Sequence, residues 1–182
     1  MEAQNKKNSS KSARRTAVSA MLAGLSFVFM YIGTLAGVLD LCACVAGALC
    51  TAIAVIEIGG AYPWLICGVC GTLSLLCLPD KFCGLEYIVL GGLYPILKAC
   101  FERFRSKVLQ WAVKLIYFNV CLGICLVLAN HVLSGQSDWA AYTWAAFGLG
   151  NVFFVIFDIA LTTFISVYIT RLRQKLKIKG LR

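Results

Sequence analysis

The chain has 182 residues, 60% of them hydrophobic, and a mean hydropathy of +0.83, well above the apolar share of a soluble domain. Its 17 basic and 8 acidic residues give a formal charge of +9, but the basic residues gather in two tails and one mid-chain loop. That distribution argues against a nucleic-acid partner and for an integral membrane protein embedded in the lipid bilayer.

Residues 1–15 form a polar tail rich in Lys, Asn and Ser, expected to be mobile. The apolar run that follows is too long for a signal-peptide core, so no cleavable signal is expected. A six-helix transmembrane domain is read over residues 16–170, and a second basic tail over 171–182. Segment one covers about Thr16 to Leu39 and stops at Asp40. Segment two runs from Leu41 to Ile58 and ends at Gly59-Gly60, and segment three from Ala61 to Leu78, closed by Pro79-Asp80-Lys81. The tight connections at Asp40 and Gly59-Gly60 are also compatible with a re-entrant or broken helix. Segment four, Gly84 to Arg103, contains Pro95 and spans about 30 Å as a helix, the thickness of a bilayer core. Segment five runs from about Val108 to Leu133 and segment six from about Ala140 to Thr170. The fold class is therefore all-α, a bundle of six membrane-crossing helices.

Orientation follows from charge. Lys6, Lys7, Lys11, Arg14 and Arg15 fall on the side of the N-terminus. Arg103, Arg105, Lys107 and the basic residues from Arg171 onward join them if there are six crossings. Lys81 is alone on the opposite side. Basic loops are retained in the cytoplasm, so both termini are expected there, in a multi-pass protein of the cell membrane. Trp139, Tyr142 and Trp144 stand where segment six enters from outside, as an interfacial aromatic belt does.

Ala13, Ala17, Ala20, Ala23 and Gly24 recur at three- and four-residue spacing in segment one, and Gly33 and Gly37 repeat the spacing later. In lipid such faces let backbones approach, either within this protein or against another membrane subunit. Of the 10 cysteines, nine lie in apolar runs and only Cys83 is near a boundary. Cys67/Cys70 and Cys121/Cys125 each share a helical face, but no His or carboxylate completes a metal set beside them. They read as small buried hydrophobes, and no metal or other cofactor is expected.

Ionisable residues inside the membrane are costly and more informative. Asp158 lies 13 residues before Arg171, about 20 Å from that end and near mid-bilayer. Asn151, Asp158 and Thr162 share a face of segment six; Asn119, Gly123, Leu126 and Asn130 share one on segment five; Tyr87, Gly91, Tyr94 and Lys98 share one on segment four. Lys114 is expected to snorkel, and Lys98 to pair with Glu57 or Glu102. Tyr87, Tyr94, Asn119, Asn130, Asn151 and Asp158 are the candidate substrate-binding residues, below an outer mouth carrying Asp40, Asp80, Glu86 and Asp138. The alternative is an interhelical hydrogen-bond network with no solute. No catalytic residue is proposed: the chain has no Walker, GxSxG or HExxH motif, and its one histidine, His131, ends a segment.

The basic tail, the alanine-rich first helix ARRTAVSAMLAGLSFVF, six spans and cytoplasmic termini together resemble the substrate-binding S component of an energy-coupling factor transporter. The resemblance implies a non-enzymatic subunit that captures a small solute, vitamin-like or another micronutrient, at the outer face. It also implies docking to a transmembrane T subunit and its ATPases through small residues of helix one, here Ala13, Ala17, Ala20, Ala23 and Gly24. A small polytopic scaffold or assembly protein without a solute is the competing expectation.

Overall fold

A computed structural model describes residues 2–37, 39–132 and 139–172, and no strand occurs among them. Six helices follow in order: α1 (Glu2–Ala36), α2 (Asp40–Glu57), α3 (Tyr62–Cys77), α4 (Lys81–Phe101), α5 (Lys107–Val132) and α6 (Trp139–Val167). A π-wound turn, Tyr168–Leu172, closes α6. All but α3 contain a stretch long and apolar enough to cross a membrane. The 16 residues of α3 reach only about 24 Å, short of a bilayer core of about 30 Å. Of the six expected full spans, five are helices long enough to cross and one, α3, is shorter. The polar residues from Glu2 onward, read as a tail ahead of the first segment, continue α1 as helix.

Local chemistry sets the boundaries. Gly37, Gly59 and Gly60 take positive φ (67°, 64° and 65°), which turns the chain sharply after α1 and after α2. Pro63 opens the first turn of α3, where its missing N–H costs nothing. At the other end of α3, Lys81 Nζ donates to the carbonyls of Leu78 (2.8 Å) and Leu76 (3.3 Å), a cation on the helix's negative pole. Asp80 then caps α4, its Oδ1 accepting from the Phe82 amide at 2.9 Å. Within α4, Tyr87–Leu93 is π-wound immediately before Pro95. A proline clashes with the carbonyl four residues back, and the wider turn relieves that crowding.

The chain forms two compact units, residues 1–99 with 165–182 and residues 100–164. In the first, α1 packs on α2 and α3, and both α2 and α3 pack on the π-wound part of α4. Gly33 of α1 lies against Ala43 of α2, and Gly92 of α4 against Cys67 of α3. The would-be Cβ of Gly47 falls 2.7 Å from the ring of Tyr87, so the fully buried tyrosine fits only because that residue is glycine. These contacts make α1/α2 and α3/α4 antiparallel. By contrast α1 and α3 run parallel: Tyr62 sits beside Ser12 and Thr16, and about two to three turns on Cys70 Sγ donates to the Ala23 carbonyl (3.2 Å). In the second unit, α5 and α6 form an antiparallel hairpin around the stacked rings of Phe118 and Phe154, 4.5 Å apart.

The outward surface is apolar. Met21, Leu76, Val108 and Trp144 are 74%, 77%, 80% and 81% exposed. In water that surface would be a liability; against hydrocarbon it costs nothing.

Candidate functional site

The polar side chains of the second unit satisfy one another across the α5/α6 hairpin. Lys114 Nζ donates to Asp158 Oδ2 at 2.9 Å and Oδ1 at 3.2 Å, with both residues buried. The same ammonium reaches Glu102 Oε1 at 3.4 Å, a carboxylate that is 42% exposed. One cation is thus shared by a buried and a surface carboxylate. Desolvating such a pair is expensive, and the two-oxygen contact on Asp158 offsets much of that cost. Lys114 does not snorkel to the interface: its side chain is 6% exposed and turns inward, because Asp158 offers a stronger partner than water at that depth. Lys114 is seven residues into α5, about 10 Å from its start, so the pair lies closer to the Arg103–Lys107 loop than a count back from Arg171 places it.

One to two turns further along, Asn119 and Asn151 exchange amide hydrogen bonds, each side-chain nitrogen donating to the other's oxygen at 3.0 Å. Their remaining N–H groups donate to Leu115 and Phe147 carbonyls at 2.8 Å. Thr162 turns back to the Asp158 carbonyl at 2.7 Å. The face shared by Asn151, Asp158 and Thr162 therefore meets the face bearing Asn119, and the ladder is extended by Lys114. Asn130 lies further along α5, and its side chain is outside the described residues.

Tyr87 and Tyr94 belong to the first unit, both fully buried. Lys98, 1% exposed, places its ammonium 5.8 Å from the Tyr94 ring centre. The Tyr87 hydroxyl is surrounded by Ser26, Thr51 and Cys70 but makes no hydrogen bond of good geometry. Ser26 and Thr51 both donate instead to the Gly47 carbonyl, at 3.5 Å and 3.3 Å.

On α1, Ala13, Ala17, Ala20 and Gly24 are exposed, whereas Ala23 is buried against its own unit. A groove of about 420 Å³ opens beside that stripe, between α1 and α3. Its mouth is polar, with Thr16, Ser19 and Tyr62; its walls are Ala20, Ala23, Gly24, Phe27, Leu65, Ile66, Val69 and Leu73. Ser19 is 7% exposed and its hydroxyl has no partner. Sequence reasoning missed this groove, since Ser19 and Tyr62 are polar residues near segment ends, and only the parallel packing of α1 and α3 joins them. It also missed the partner of Asp158, although Lys114 was the one Lys or Arg in the last two segments.

All cysteines are free. Among the described residues no group of three or more His, Cys, Asp or Glu side chains is placed to hold a metal ion. Compared with known proteins, the chain matches no protein family, no curated protein and no solved structure.

Proposed function

We propose that this chain is a membrane-embedded subunit of an importer, the solute-binding S component of an energy-coupling factor-type assembly, with both termini in the cytoplasm. The observation that carries the reading is the exposed stripe of Ala13, Ala17, Ala20 and Gly24 on α1, a small-residue face the chain does not bury itself. Such a face admits a second transmembrane subunit at close range. The three basic clusters and the antiparallel order of the helices support the orientation.

The solute in this reading is a small micronutrient taken from outside. Of the six candidate binding residues, Tyr87 keeps an unsatisfied hydroxyl in the core of the first unit. Asn119, Asn151 and Asp158 are already held by protein partners. That mutual satisfaction favours a second reading, a polytopic scaffold whose polar groups hold its own helices together.

Pull-down of the tagged full chain from native membranes tests both. An S component brings a T subunit and ATPases with it. Ala17→Leu, at an exposed position outside the groove, is expected to abolish that association while leaving the gel-filtration profile unchanged. Recovery of the wild-type chain with other membrane proteins and no ATPase would support the scaffold.

A further inference from the structure

The α1/α3 groove has two features that bear on what it can hold. The first is Ser19, a lining residue that is nine-tenths buried and whose hydroxyl is bonded to nothing. A serine in a helix can turn back to the carbonyl four residues before it, as Thr16 does to Ser12 at 3.1 Å; Ser19 does not. The second is the grading of chemistry along the groove. At its mouth the Tyr62 hydroxyl lies beside the hydroxyls of Ser12 and Thr16 and within the field of Arg15. Lys11 and Arg14 stand on the same turns of α1. From Thr16 to Phe27 the groove then runs about 16 Å along the helix axis, and beyond Ser19 its walls are hydrocarbon.

A charged end, an acceptor-seeking hydroxyl just below it and an apolar trough match the parts of a glycerophospholipid in their order. We infer that this groove binds one anionic phospholipid, its phosphate at Arg15 and the Thr16–Tyr62 mouth, an ester carbonyl accepting from Ser19 Oγ, and one acyl chain along Gly24 and Val69. Basic clefts between transmembrane helices select acidic headgroups, because the headgroup charge adds to the burial of the chain. The position beside the Ala13–Ala17 stripe makes this lipid a neighbour of any subunit docked there. The inference does not depend on the importer reading, since lipid retention is measured on the isolated chain.

The test uses the full-length protein in mild detergent, incubated with dioleoyl-phosphatidylglycerol or dioleoyl-phosphatidylcholine and weighed intact by native mass spectrometry. Wild type is expected to retain one phosphatidylglycerol in preference to phosphatidylcholine by about fivefold, one basic side chain's share of attraction. Arg15→Gln should erase the preference, and Ser19→Ala should weaken retention of both lipids. Nothing lies within 4 Å of a Cβ built at Gly24, so the side chain of Gly24→Phe starts in open space and its ring takes up room in the trough. It should abolish the bound lipid, while Leu25→Phe, on exposed lipid-facing surface, should not. Equal retention of the two lipids by wild type, or full retention by Gly24→Phe, overturns the proposal. So does the loss of a co-purifying membrane protein from Gly24→Phe with lipid retention intact, which would assign the groove to a partner helix.

Discussion

Lys114 and Asp158 each make the other tolerable in the bilayer. Removing one partner of a buried pair leaves an uncompensated charge and typically costs about 3–5 kcal/mol, whereas replacing both by apolar groups is often near neutral. Lys114→Met is therefore expected to destabilise the protein strongly in reversible detergent unfolding, and Lys114→Met/Asp158→Leu to recover most of the loss. A double variant as unstable as the single one would mean the pair is not mutually compensating. Asn119 and Asn151 carry less. Interhelical hydrogen bonds in membranes average about 0.6 kcal/mol by double-mutant cycles, because the separated helices also find partners. An Asn119→Leu, Asn151→Leu cycle should return a coupling of that order, and a coupling of zero would show that the reciprocal amides contribute nothing.

At the scale of the helix, glycines divide into those that admit a neighbour and those that face open space. Gly47 admits the Tyr87 ring, and a methyl group there would press on it at 2.7 Å. Gly47→Ala is expected to cost about 1–3 kcal/mol by overpacking. Gly24 meets nothing, so Gly24→Ala should be neutral or stabilising by up to about 1 kcal/mol, the difference in helix propensity. Thermal midpoints of the two variants against wild type check the contrast; equal shifts would deny that α2 and α4 depend on close approach. Apart from the start of α1, read at Thr16 and found at Glu2, the helix boundaries were legible in sequence to within a few residues, because Gly, Pro and Asp punctuate the apolar runs. The π-winding of α4 was not, since it answers Pro95 jointly with the packing of Tyr87 and Gly92.

For the molecule as a whole, the proposed topology makes a direct forecast. On a background with every native cysteine changed to Ala, a cysteine at position 81 should react with an impermeant reagent from outside. One at position 105 should react only after permeabilisation. Reversal of the pattern would invert the orientation and move the proposed docking face of α1 to the other leaflet. The lone basic loop at Lys81 against the cluster at Arg103–Lys107 is the physical basis, as cationic loops resist translocation.

Composition and periodicity by themselves determined that the chain is helical and suited to a membrane. Every backbone polar group in hydrocarbon must be paired locally, and the run between Pro79 and the Arg103–Lys107 loop has the length that requires. They also exposed the small-residue face of α1 and the polar faces that carry Asn119 and Asn151, because helical spacing alone puts those residues on faces. Only the tertiary structure decided what each face meets. It joined Lys114 to Asp158, placed Tyr87 and Tyr94 in the other unit, and opened the trough between α1 and α3 with Ser19 at its mouth. Those outcomes depend on which helices lie side by side and in which register. Among hydrocarbon-covered helices that choice is made by close packing and paired polar groups, and neither is visible along a single strand of sequence.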